Sequence, residues 1–275
     1  MTTPEAPHIT SGERIERTIE VQGIPTHLFE AGQTTAPPLL YLHGTYLGNL
    51  WLDYHKALSQ HFHIFAPDTP GFGLTARPDW MRNMDDYTLY FRDLLNALGL
   101  EKATIVGHSL GGWMAAEVAV WFPERVDQLV LANAAGIRVK GTPIGDLFAM
   151  SPQESMAISF EDLSAAMPLM PAAVDEDYLL AMFRQSTTLA SLAWNPSYDP
   201  KLERRLAWIK APTLVLWGAN DRLIPSVYGD AFHQLIPGSK LVKLEGTGHM
   251  PMFEKPAEWS STIAAFLTAN QEANA

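Results

Sequence analysis

Short apolar runs closed by glycine or proline alternate along this chain with longer stretches whose apolar residues recur at helical spacing. Residues 38–44, Pro-Leu-Leu-Tyr-Leu-His-Gly, form one such run, and residues 62–68 another, closed by Pro67, Pro70, Gly71 and Gly73. Residues 103–106, 126–131, 212–217 and 240–244 repeat it. Runs without a polar face are those of strands buried on both sides, as in a parallel sheet. Between them the spacing predicts helices over 52–60 and over 85–100, where Tyr87, Phe91, Leu94, Leu95 and Leu98 form one stripe ending near Gly99. Another helix is expected after Ser109, and a last one over 256–269. Residues 17–30 read as two short strands broken at Gly23-Ile24-Pro25. Strands alternating with helices imply a mostly parallel sheet covered by helices on both faces.

One stretch interrupts the alternation. From Ala135 to Leu206 there is no clear strand, but helical fragments, several prolines and five methionines (Met150, Met156, Met167, Met170 and Met182). A segment placed between two sheet strands must leave the sheet and return. It is expected to form a helical cap over the carboxyl ends of the strands, where open α/β sheets bind ligands. The organisation predicted is therefore a core of residues 1–134 and 207–275 and a cap of 135–206, with 1–13 as a loose tail.

Composition narrows the function classes. The length of 275 residues suits one α/β domain with an insertion, and the apolar fraction of 47% can fill a large core. A net charge of −11 disfavours nucleic acid and anionic membrane surfaces as partners. There is no cysteine, which excludes disulfides, thiolate metal sites and thiol catalysis. Residues 1–20 are polar with no signal-peptide core, and no apolar stretch approaches the ~20 residues that span a bilayer. A cytoplasmic protein without a membrane anchor is the default expectation.

The chemistry concentrates at Gly107-His108-Ser109-Leu110-Gly111-Gly112, a Gly-x-Ser-x-Gly set between an apolar strand and a helix. Such a turn lifts a serine hydroxyl above the sheet in a strained backbone conformation, so its neighbours must be small. Gly107 and Gly111 remove the Cβ atoms that would collide there, and Gly112 lets the helix approach. A serine needs a base, and the base needs an orienting acid. Asp221 follows the strand at 212–217, and His249 follows the next one, 28 residues on, enough for one crossover helix and strand. The order Ser, Asp, His is that of α/β-hydrolases.

His43-Gly44 with Trp51, Asp68-Thr69-Pro70-Gly71-Phe72-Gly73, the Ser109 segment, Gly218-Ala219-Asn220-Asp221 and Gly248-His249-Met250-Pro251 occur here in one order. In that order the chain resembles, over nearly its whole length, capped α/β-hydrolase-fold enzymes of the bacterial esterase, C–C hydrolase and epoxide hydrolase kind. The resemblance implies an eight-stranded sheet, Ser109 as nucleophile, His249 as base and acid, and Asp221 as its orienter. It places the oxyanion hole at the backbone N–H groups of Thr45 and Leu110, with no cofactor and no metal. Other families carry the acid after the preceding strand, where this chain offers only Asn133. Ser109 replaces the aspartate that epoxide hydrolases and haloalkane dehalogenases need, and His108 stands where C–C hydrolases often carry Asn.

Around this set, Tyr46, Trp194 and His43 are candidate pocket residues, His43 also as a support for the loop. Asp68 is expected to be a loop-stabilising carboxylate. His61 and His63 share a strand face but lack a third ligand for a metal. The function expected is a cofactor-free serine hydrolase that cleaves small to medium, mainly apolar carboxylic esters through an acyl-enzyme. A C–C bond hydrolase or cofactor-free perhydrolase would use the same triad. A ligand-binding, receptor-like protein with negligible turnover is the alternative from another class.

Overall fold

A computed structural model describes residues 14–171 and 173–274; the tail expected at 1–13 lies outside the described residues. β1 (Arg14–Val21) and β2 (Ile24–Ala31) form an antiparallel hairpin. Its turn, Gln22-Gly23, takes positive φ at both residues (51° and 79°), the twist that two-residue hairpins favour. The alternating part then runs β3 (Pro38–Leu42), α1 (Asp53–Leu58), β4 (His63–Pro67), α2 (Met84–Ala97), β5 (Ala103–His108), α3 (Leu110–Trp121) and β6 (Val126–Ala132). Next come α4 (Pro152–Ser159), α5 (Glu176–Ala193) and α6 (Leu202–Arg205). The chain closes with β7 (Thr213–Gly218), α7 (Val227–Leu235), β8 (Lys240–Leu244), α8 (Pro251–Glu254) and α9 (Pro256–Asn274).

The eight strands lie in the order β1-β2-β4-β3-β5-β6-β7-β8, antiparallel at the first two pairings and parallel thereafter. Successive residues of the central strands enter opposite apolar layers, as the period of two requires. Leu40, Leu42, Val215 and Trp217 pack with α2, α3 and α7. Leu39, Tyr41, Leu214 and Leu216 pack with α1, α8 and α9. That double burial explains why these strands are apolar throughout. The parallel pairing brings the carboxyl ends of β3, β5, β6, β7 and β8 to one edge of the sheet.

Among the described residues between β6 and β7 there is no strand, only a single bridge between Gly136 and Tyr198. The excursion is closed where Asp199 N–H donates to the Gly136 carbonyl at 2.9 Å. Arg205, on α6, pairs with Asp199 and with Glu117 of α3.

Glu117 makes a stability prediction. Its Oε1 accepts from Arg205 Nη2 at 3.0 Å and from Trp113 Nε1 at 3.3 Å. Burial outweighs the guanidinium and pushes its pKa from 4.5 up to about 7. The folded protein therefore keeps a proton that an unfolded chain releases near 4.5, so stability falls as pH climbs from there towards 7. Because Arg205 retains Asp199, Glu117→Gln is expected to raise the melting temperature at pH 8 by about 2–4 °C, with little gain at pH 5. Thermal unfolding across that range checks it; a lower melting temperature at pH 8 would mean that the ion pair outweighs burial.

Candidate active site

At the end of β5 the chain turns sharply into α3 at Ser109, which takes φ 54° and ψ −116°. A non-glycine residue held there costs about 1–3 kcal/mol, so its surroundings must enforce the turn. Ser109 N–H donates to the Ala132 carbonyl at 2.9 Å, and its own carbonyl accepts from Trp113 and Ala135. The flanking glycines are steric requirements. A Cβ on Gly107 would lie 2.4 Å from the Gly111 carbonyl oxygen, and one on Gly111 would lie 2.2 Å from that of Leu42. The turn sets Ser109 at the N-terminal end of α3, where the helix favours negative charge.

The structure brings Ser109, His249 and Asp221 into one hydrogen-bonded line. His249 Nε2 lies 2.9 Å from Ser109 Oγ, and His249 Nδ1 lies 2.8 Å from Asp221 Oδ2. All three are buried. The Asp221 carboxylate is locked in turn: Oδ1 accepts the N–H groups of Leu223 at 2.9 Å and Ile224 at 2.8 Å. With Oδ2 facing Nδ1, the proton sits on Nδ1 and Nε2 is left to accept from the serine.

Asn133 is the residue that sequence reasoning passed over except as a position lacking an acid. From the end of β6, at φ 46°, its Nδ2 donates to Asp221 Oδ2 at 2.7 Å. Its place after β6 was the available signal. His108 is also engaged: its Nε2 donates to the His249 carbonyl at 2.9 Å, and burial beside two other imidazoles drives its pKa well below 6.5. It is a neutral support for the His249 backbone.

A pocket of about 520 Å³ opens over Ser109, with Thr45 and Leu110 in its wall. That volume falls within the usual range for small-molecule sites. Trp113, Ile137, Val139, Leu189, Leu223 and Ile224 make much of the lining apolar, while Arg138, Tyr198 and Tyr228 bring polar groups. Many of these residues belong to 135–148 and 189–198, so the excursion from the sheet builds a large part of the wall.

Of the candidate pocket residues, Trp194 lines the cavity, packed on Phe148 with ring centroids 4.9 Å apart. His43 and Tyr46 are not among the residues that line this cavity. His43 Nδ1 donates to the Gly44 carbonyl at 2.7 Å and Nε2 accepts from Thr69 N–H at 3.0 Å, so both nitrogens hold loops. Tyr46 instead spends its hydroxyl on Ser186 Oγ of α5, at 3.1 Å. Asp68 does act within the loops, accepting the N–H groups of Asn49 and Leu74 at 2.5 and 2.6 Å. His63 is turned to Glu30 at 2.7 Å. Among the described residues no three His, Cys, Asp or Glu side chains gather as a metal site, and no helix is long and apolar enough to cross a membrane.

With this geometry stand the comparisons. Residues 39–262 match the family model described as the alpha/beta hydrolase family. The chain is 27% identical over 271 residues to 2-hydroxy-6-oxo-6-(2'-aminophenyl)hexa-2,4-dienoic acid hydrolase of Metapseudomonas resinovorans, covering 92% of this chain and 91% of that one. It is 27% identical over 254 residues to Lipase 1 of Psychrobacter immobilis, covering 86% and 78%. The crystal structure of a membrane phospholipase A, described as a novel bacterial virulence factor, is similar with a TM-score of 0.81 at 26% identity, covering 94% of this chain and 87% of that one.

Proposed function

Because this chain belongs to the alpha/beta hydrolase family, we propose that it is a cofactor-free serine hydrolase of small to medium, mainly apolar carboxylic esters. The observation that carries the reading is the unbroken line Ser109–His249–Asp221, at 2.9 and 2.8 Å, opening into a largely apolar pocket. Relatives of the lipase kind support it.

In this reading Ser109 Oγ attacks the ester carbonyl while His249 Nε2 takes its proton. Asp221, held by two backbone N–H groups and Asn133, keeps the imidazole in the accepting tautomer and stabilises the imidazolium that forms. The N–H groups of Thr45 and Leu110 receive the oxyanion, each lowering the barrier by about 3 kcal/mol. His249 then returns the proton to the departing alcohol, and water, activated the same way, releases the acid from Ser109. The excursion over 135–206 acts as a cap, and its apolar side chains select the substrate by excluding water around it.

Similarity to the dienoic acid hydrolase favours a second reading, C–C bond cleavage by the same residues. Steady-state rates across p-nitrophenyl esters of increasing acyl length, set beside a vinylogous diketone panel, separate the two. The expected result is highest kcat/KM on an apolar ester of short to medium chain. Faster turnover of a diketone than of every ester would replace the ester reading with the second. A burst without steady-state turnover would point to the receptor-like alternative.

A further inference from the structure

The loops that carry Asp221 and His249 are gripped by one short piece of the cap, the chain around Ser159–Asp162. The Ser159 carbonyl accepts the backbone N–H of His249 at 2.7 Å. On the other side, Arg222, next to Asp221, donates to the carbonyls of Ala157 at 2.8 Å and Phe160 at 2.6 Å and pairs with Glu161 at 3.2 Å. Joining the piece to the histidine loop is the carboxylate of Glu254, at the end of α8. Its Oε1 accepts the N–H groups of Glu161 at 2.6 Å and Asp162 at 2.9 Å, and its Oε2 accepts Gly248 N–H at 2.6 Å. Phe160 packs against Phe253, the residue before Glu254, with ring centroids 6.1 Å apart.

We propose that Glu254 is a positioning residue that makes assembly of the Ser109–His249–Asp221 line depend on the cap being seated. This rests on the serine hydrolase reading above. A carboxylate can accept three N–H groups at once and binds them more strongly than a neutral acceptor. Its three donors lie on two sides of one seam: two on the cap, one on the residue before His249. When the seam is closed, Ser159 holds the backbone of His249 while His108 holds its carbonyl, so the imidazole has little freedom to swing from Ser109. When the cap lifts, His249 loses the Ser159 bond and Glu254 loses its two cap donors together, so of the seam's bonds the histidine loop keeps only that from Gly248 to Glu254. None of the described pocket-lining residues falls within 159–162, so the effect runs through the histidine loop and leaves substrate contacts in place.

Glutamine at 254 keeps the shape but offers a single acceptor atom, so it can serve the cap or Gly248 and turns an NH₂ against donors on the other side. Glu254→Gln is expected to cut kcat about tenfold or more, through misplacement of the imidazole, with KM shifted less than about threefold. The rate of fluorophosphonate labelling of Ser109 should fall by the same factor. Gly248→Ala attacks the seam from the opposite side. The added Cβ would lie 2.7 Å from the Ser159 carbonyl oxygen and 2.9 Å from Glu161 N, forcing the two apart while leaving Glu254 intact. It should give the same kcat-selective loss, and the double variant should be no worse than the poorer single one, because both open one contact. Hydrogen exchange should rise jointly over 157–162 and 246–250 in each variant, with the melting temperature little changed for the half-buried Glu254.

Additive losses, a KM-only effect, or a Glu254→Gln enzyme within about twofold of the parent kcat would overturn the proposal. Exchange that rises at 157–162 alone would also overturn it. If the parent protein neither labels nor turns over any substrate while exchange rises at both segments, the hydrolase reading fails and the mechanical coupling stands.

Discussion

Ser109→Ala is expected to lower kcat on p-nitrophenyl esters by about 10⁴-fold or more and to abolish fluorophosphonate labelling. The change removes one oxygen whose hydrogen bond is to His249 Nε2. The turn itself does not need that oxygen: it is held by Ser109 N–H on Ala132 and by the Ser109 carbonyl, and by glycines at 107 and 111 that leave room for the backbone. Alanine and serine pay the same backbone cost at φ 54°, so the melting temperature should stay where it is. A folded variant that still labels fully would remove Ser109 from the nucleophile's role.

Asp221→Asn tests the other end of the line. An amide there has one acceptor and one donor atom where the carboxylate has two acceptors, and both oxygens are committed. Placing NH₂ at Oδ2 sets it against His249 Nδ1–H and Asn133 Nδ2, and placing it at Oδ1 sets it against the N–H groups of Leu223 and Ile224. The first arrangement is relieved when the imidazole carries its proton on Nε2 instead, facing Ser109 and unable to accept. The expected result is a fall in kcat of about 10⁴-fold with KM nearly unchanged. A loss below about tenfold would mean that another group orients His249.

The sheet was legible because its physics is local. Leu39-Leu40-Tyr41-Leu42 and Leu214-Val215-Leu216-Trp217 sit between two layers of helices, so every position is apolar and a reader sees an unbroken run. The strand over 38–44 ends two residues early, at Leu42, because His43 and Gly44 leave the ladder to hold loops near the site. The helix expected over 85–100 runs Met84–Ala97, with Asn83 capping it through Asp86 N–H at 3.1 Å.

The excursion was legible only in outline. Apolar residues there serve three ends that look alike in a sequence. Ile137 and Leu189 are buried and line the pocket, Phe160 is buried against the histidine loop, and Phe183 on α5 is 68% exposed. Tyr46 and His43 engage loops and α5 for a related reason: a polar aromatic beside the Ser109 turn satisfies its hydrogen bonds wherever the fold first offers partners.

By itself the sequence determined the strands, their alternation with helices, and the serine turn. Each of these depends on neighbours a few positions away: apolarity on both faces of a run, or missing Cβ atoms where two backbones meet. The tertiary structure alone decided that Asn133 would meet Asp221 across 88 positions and that Glu254 would reach Asp162 across 92. Those contacts carry no local signature, because a buried donor or acceptor accepts any complementary group of right geometry, and chain topology chooses which group arrives.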